Sequence, residues 1–253
     1  MEKSGPKLVW RSLGSIIGTI VLLTVIILAC ILGSLIPQNA HEQFYLSRYG
    51  LKLYRLLQLT DIIDLYHSWW FLTLLSLLGL NLLIHTLTSF SLKLGSVGRA
   101  LAHLGIIIIL VSVLISTIRR ETGFMEIYEG EETGSFFLED KDKPLPFKVY
   151  LEDFIIEYYS DDPSSAIKDY KSKLKVIDRG QIAAVKTVEV NDPLRYGGYT
   201  FYQHGYDDNN SRYTVLQVVK DPGVPSVYAG FILLMVGLIF VSVVNPLITK
   251  DKS

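Results

Sequence analysis

The stretch Ile16-Ile-Gly-Thr-Ile-Val-Leu-Leu-Thr-Val-Ile-Ile-Leu-Ala-Cys-Ile-Leu-Gly-Ser-Leu35 decides the fold. It holds no Asp, Glu, Lys or Arg, and the charge-free segment around it runs from Arg11 to Glu42. About 20 apolar residues rising ~1.5 Å each match the hydrocarbon thickness of a bilayer. Three further segments have the same character, between Asp64 and Lys93, Arg99 and Arg119, and Asp221 and Lys250. Four transmembrane helices are therefore predicted, over about 14–35, 68–90, 100–118 and 226–247. The first run is too long for a signal-peptide core and no small-x-small cleavage site follows before Pro37, so it is expected to stay as a span.

Charge segregation sets the rest of the architecture. The 253 residues are 49% hydrophobic with a formal net charge of −1, and the mean hydropathy is +0.33. That balance argues against nucleic-acid binding and against a polybasic anchor; the lipid bilayer is the expected partner surface. Cys30 is the one cysteine. No internal disulfide, CxxC redox pair or CxxCH haem-attachment site is possible, and Cys30 reads as a packing residue.

Three regions follow: a membrane region 1–118, a β-rich domain 119–221, and a fourth span with its tail, 222–253. Within the first, loop 36–66 carries Phe44, Tyr45, Tyr49, Leu53, Leu56 and Leu57 at helix-like spacing and is expected to lie in the membrane interface. Residues 89–98 are short enough to make spans two and three an antiparallel pair. In the domain, 147–159, 170–177, 183–190, 199–206 and 213–219 are rich in β-branched and aromatic residues. Turn signals such as Asn191-Asp-Pro193 and Gly197-Gly198 separate them, so an all-β sandwich or open barrel is predicted. Lys3, Lys7, Arg11, Lys93, Arg99, Lys250 and Lys252 slightly outnumber the basic residues of the opposite side (Arg48, Lys52, Arg55, Arg119, Arg120). The bias puts both termini in the cytoplasm and the β domain outside.

Ordered strings add to this pattern. They are Leu32-Gly-Ser-Leu-Ile-Pro-Gln38, Asp64-Leu-Tyr-His-Ser-Trp-Trp-Phe71, Leu80-Asn-Leu-Leu83 and Ala102-His-Leu-Gly105 in the membrane region. Leu145-Pro-Phe147, Val190-Asn-Asp-Pro-Leu194, Gly198-Tyr-Thr-Phe-Tyr-Gln203 and Lys220-Asp-Pro-Gly223 follow in the domain. Together, from about Leu32 to Gly237, the chain resembles the ResB family, also called CcsB, of system II cytochrome c biogenesis proteins. The resemblance implies a subunit of a cytochrome c synthase (haem lyase), paired with a ResC/CcsA-like membrane subunit. Such a complex moves haem b, held non-covalently, across the bacterial cytoplasmic (inner) membrane or its thylakoid equivalent. It then joins the haem vinyl groups to the CxxCH thiols of apocytochrome c. Most catalytic residues are expected on the partner, so to call this chain an enzyme by itself overstates it. A structural scaffold that anchors partner and apocytochrome without touching haem is the alternative.

Histidine decides between these readings, because imidazole is an axial ligand of haem iron. His103 lies one turn, ~6 Å, beyond Arg99 among the small residues Ala100, Ala102 and Gly105. The resemblance places a haem-ligating histidine in this His-Leu-Gly string; the bland reading is a histidine hydrogen-bonded between helices. His85, ~12 Å inside Lys93, is the rival ligand. Arg99 and Lys93 suit haem propionates, and equally serve as topology charges. His67, Trp69 and Trp70 read as an interfacial belt; the partner's tryptophan-rich motif needs an aspartate, where Phe71-Leu-Thr-Leu follows here. His41 and His204 read as ordinary loop and strand residues, Asn81 as interhelical glue, and the domain tyrosines (Tyr158, Tyr159, Tyr196, Tyr199, Tyr202, Tyr206) as sheet core.

Overall fold

The computed structural model describes residues 14–91, 94–139, 141–160, 167–207 and 210–244. Lys93, the basic residues before Gly14 and those after Val244 lie outside them. The chain divides into two compact units, Met1–Ile118 with Gly223–Ser253, and Arg119–Pro222.

The first unit is helical. Its elements are α1 (Ile16–Leu35), α2 (Glu42–Leu59), a 3₁₀ segment (Ile62–His67), α3 (Trp69–Ser89), α4 (Leu94–Arg119) and α5 (Val224–Ile239), which continues as a π turn, Phe240–Val244. Four of these are long and apolar enough to cross a membrane: Ile16–Leu35, Trp69–Ser89, Gly95–Arg119 and Val224–Val244. Large apolar side chains lie open along their outer faces; Ile17 and Ile118 are each 76% exposed. In water that surface would aggregate, and in lipid it is solvated, so the chain is a membrane protein.

Local chemistry sets the helix ends. Ser15 Oγ accepts the Gly18 N–H at 3.0 Å to cap α1, and Ser68 Oγ accepts the Phe71 N–H at 3.4 Å to cap α3. Pro225 sits in the first turn of α5, where its missing N–H costs nothing. Loop 36–66 is more ordered than a surface amphipath. Gln38 donates to the carbonyls of Ile36 and Ile62 and accepts the Leu65 N–H, and Tyr45 O–H donates to Pro37 O at 2.5 Å. Gly50, at φ 71°, breaks α2 into two pieces, a backbone conformation glycine adopts without a Cβ penalty. Tyr45, Tyr54 and Leu57 are buried while Phe44, Leu53 and Leu56 stay exposed.

Two helix pairings show how this unit is held together. α1 meets α3 through Thr19 Oγ1, which donates to Asn81 Oδ1 at 2.5 Å, and through a cluster of Ala29, Leu65 and Phe71 with Cys30 packed against it. Asn81 is thus the glue expected of it and Cys30 a packing residue. α4 meets α5 through glycine. A Cβ on Gly105 would lie 2.6 Å from Leu234 N and 2.7 Å from Gly230 O, and one on Gly230 would lie 2.9 Å from Gly105 O. Gly98 and Gly237 make similar approaches one to two turns away. Small residues allow this backbone-to-backbone contact, from which buried helices in lipid draw their dispersion energy.

The second unit is one antiparallel sheet. Its strands are β1 (Glu121–Tyr128), β2 (Glu132–Leu138), β3 (Lys141–Tyr158), β4 (Ile167–Asp178), β5 (Gln181–Val188), β6 (Leu194–Tyr196), β7 (Tyr199–Asp207) and β8 (Asn210–Lys220). Their order is β5-β4-β3-β2-β1-β8-β7-β6. β1 and β8 run in unbroken register from Glu121↔Lys220 to Tyr128↔Tyr213. Register shifts at Leu151/Asp153 in β3 and Gln203/Gly205 in β7 mark irregularities that bend strands. The two halves face each other over a core that includes Met125, Phe136, Leu151, Leu174, Phe201 and Leu216. Inside it, Ser172 Oγ on β4 donates to Gln203 Oε1 on β7 at 2.7 Å, and Gln203 Nε2 donates to Thr214 Oγ1 on β8 at 2.8 Å. The sheet is not closed: among the described residues no ladder joins β5 to β6. Tyr199 is in the core and Tyr196 and Tyr206 pack against it, but Tyr159 is 74% exposed and does not fill it.

Candidate functional site

The antiparallel α3 and α4 carry the candidate histidines, His85 and His103. α4 begins at Leu94, a turn and a half before the predicted start at 100, because Gly95, Ser96 and Gly98 are helical here. Arg99 therefore lies inside the helix rather than at its mouth. α3 ends at Ser89, so His85 is one turn, ~6 Å, from its helix end, half the depth expected from Lys93.

These ends bring His85 and His103 together, with ring centroids 6.0 Å apart and planes tilted by 55°. They line one cleft with Thr86, Ser89, Phe90, Ser96, Arg99 and Ala100. Both imidazoles are half-buried and Arg99 is exposed. Of the small residues beside His103, Ala102 and Gly105 are taken up by α5, while Ala100 lines the cleft. His85 Nδ1 lies 3.1 Å from the Gly14 carbonyl, which can only accept, so His85 donates from Nδ1. His103 Nδ1 lies 2.9 Å from Thr86 Oγ1. Ser91 N–H donates to Ser96 Oγ at 3.0 Å, closing the turn between the helices.

The cleft itself holds about 20 Å³, the room of roughly one water molecule and far below the several hundred Å³ of a cofactor pocket. A porphyrin does not fit inside this cleft. What the cleft presents is two imidazoles, three hydroxyls and a guanidinium. Among the described residues no group of three or more His, Cys, Asp or Glu is placed to hold a metal ion.

The remaining candidates lie elsewhere. His67 Nδ1 pairs with Asp64 Oδ1 at 2.7 Å on an exposed surface. Trp69 is 72% exposed and Trp70 donates its indole N–H to Thr60 O at 3.0 Å. His41 precedes α2 without a side-chain capping bond, and His204 lies against Phe124, ring centroids 4.7 Å apart. Sequence reasoning missed Thr86 and Ser96. Ser and Thr are commonplace in membrane helices, and the spacing along one helix carries no sign of the partner across the pair.

A four-span membrane region with an inserted antiparallel β domain and a paired-histidine cleft defines the class of protein. Residues 18–90, 93–212 and 207–246 match the ResB-like family, and the chain belongs to it. Relatives include cytochrome c biogenesis protein Ccs1 of Guillardia theta, 25% identical over 288 aligned positions, covering 84% of this chain and 66% of that protein. Protein NrfI of Wolinella succinogenes is 36% identical over 98 residues, 38% of this chain and 10% of its own length. Among solved structures, cytochrome c heme lyase CcmF aligns over 87% of this chain and 34% of its own, with TM-score 0.42 and 14% identity. The chain thus spans about two thirds of Ccs1 and a tenth of NrfI.

Proposed function

We propose that this chain is the haem-handling subunit of a membrane complex that transports haem and attaches it to apocytochrome c. His103 ligates haem iron, held non-covalently as haem b, and a ResC/CcsA-like partner supplies the opposite ligand. Both termini lie in the cytoplasm and the β domain outside a bacterial inner membrane or thylakoid equivalent; apocytochrome c is received there.

The observation that carries this reading is the convergence of His85 and His103, 6.0 Å apart, on a cleft rimmed by Arg99. Membrane-depth imidazoles are costly unless they have a task. The cleft is too small for a porphyrin, so this reading requires haem to lie against the open helix face, enclosed by the partner. Arg99, exposed at the rim, is suited to a propionate through paired N–H donors. Haem when bound supplies the vinyl groups of the attachment chemistry; this chain's residues hold, orient and hand it over.

The test is the visible spectrum of the complex purified with its partner, as wild type, His103→Ala and His85→Ala. A Soret band lost with His103→Ala alone, and restored by added imidazole, is the expected result. Loss with His85→Ala instead moves the ligand one helix over. Unchanged haem in both variants, with the complex intact, refutes ligation and leaves the scaffold reading, which the two satisfied Nδ1 bonds would then explain as interhelical glue.

A further inference from the structure

Thr86 has one hydroxyl proton and two acceptor lone pairs. Its Oγ1 lies 2.7 Å from Leu82 O, a carbonyl that can only accept, so the proton is committed there. The same i−4 back-bond recurs at Thr73, Ser76 and Thr88. At Thr86 the oxygen additionally meets His103 Nδ1, at 2.9 Å. With its proton spent on Leu82, Oγ1 meets that nitrogen only as an acceptor. The hydrogen of the bond must therefore come from His103, and a neutral His103 carries it on Nδ1 and leaves Nε2 with its lone pair free. Free histidine favours the opposite tautomer, with hydrogen on Nε2, which cannot bind a metal through that nitrogen.

We propose that Thr86 is the positioning residue of His103, holding it in the Nδ1–H tautomer so that Nε2 is the nitrogen offered as a ligand. The identity of that ligand's acceptor rests on the haem reading above; the tautomer does not. His85 is fixed the same way by the Gly14 carbonyl, so both rings of the cleft offer Nε2. An Nδ1–H that donates to Oγ1 also makes Nε2 more basic, because outer hydrogen bonds of this kind push electron density toward the metal. Were Nε2 to ligate haem iron, this bond would favour the oxidised metal.

Two variants separate position from packing. Thr86→Val keeps the shape and removes the oxygen; Thr86→Ser keeps the oxygen. Histidine ¹⁵N spectra of the haem-free chain in nanodiscs at pH 8, above the ordinary histidine range, read the tautomer directly, with His103→Gln assigning the signal. The expected result is a single Nδ1–H form of His103 in wild type and Thr86→Ser, and an Nε2–H form appearing in Thr86→Val. A wild-type tautomer in Thr86→Val overturns the proposal, whatever haem does. In the haem-loaded complex, Thr86→Val should raise the midpoint potential and Thr86→Ser should not. A tautomer that shifts while the haem spectrum ignores His103 upholds the proposal and sinks the ligation reading instead.

Discussion

Replacing Gly105 by alanine places a methyl group 2.6 Å from Leu234 N and 2.7 Å from Gly230 O. Both neighbours are backbone atoms of α5 and neither can rotate aside. Ordinary contact between such atoms begins near 3.4 Å, so the two helices must part locally by about 0.8 Å. Forcing a methyl into a packed interface costs about 1–3 kcal/mol, while alanine recovers roughly 0.5–1 kcal/mol over glycine in a helix. The difference is a net loss of roughly 0–2.5 kcal/mol, centred near 1. Gly79 supplies the control, since a Cβ there meets only Leu110 Cδ1, at 3.6 Å. Gly79→Ala carries the same propensity gain without the clash, so the difference between the variants isolates the interface term. Reversible unfolding in mixed micelles with a denaturing detergent, followed by near-ultraviolet circular dichroism, measures both. Equal midpoints for Gly105→Ala and Gly79→Ala would refute the claim that α4 and α5 pack backbone against backbone.

Other outcomes follow from the β domain and the cleft. Gln203→Leu removes two buried hydrogen bonds, leaving Ser172 Oγ only Thr214 Oγ1 at 3.1 Å, and should cost about 1–3 kcal/mol in urea unfolding of the full chain in detergent; an unchanged midpoint would show the network idle. The Lys175 ammonium, and then Lys173, hold the Glu152 carboxyl below the usual glutamate range. A depressed carboxyl contributes stability above its unfolded pKa and loses it as pH falls through the folded one. The midpoint of the domain should therefore drop more steeply below pH ~4.5 in wild type than in Glu152→Gln, and added salt should shrink the gap because the half-buried groups remain open to solvent. Arg99→Gln should weaken retention of haem but not of its dimethyl ester, which has no free propionates; equal loss of both would remove Arg99 from that role.

Much of this architecture is legible in sequence because two solvents impose two grammars. Charge-free runs announce α1, α3, most of α4 and α5, and alternation announces β3, β4, β5, β7 and β8. β6 escapes because three residues are too few to alternate. β2 escapes because Gly134 and Ser135 interrupt its pattern at a register shift. β1 alternates cleanly, burying Gly123, Met125 and Ile127, but it follows directly on α4 and Arg119-Arg120, where the eye reads a membrane boundary. The first turns of α4 read as loop because glycine and serine are turn residues; here Gly98 is needed for the approach of Phe240 and Val241. The histidines stand out by membrane depth alone. Their meeting does not, because it depends on how far each helix extends, and neither end was where the charges suggested.

The pairing of β1 with β8 has a consequence for how the chain is made. The first strand of the domain emerges from the ribosome about a hundred residues before its long neighbour, Glu121 waiting for Lys220. Until then one full flank of β1 has nothing to zip to, in a region whose contacts are as non-local as the domain permits, the arrangement that folds slowly and invites mispairing. Synthesis of α5 follows at once, so β8 both completes the sheet and immediately precedes the fourth span. A pause in translation after Pro222, long enough for the sheet to close, would favour correct assembly, and a truncation before β8 would leave an exposed strand for proteases to find.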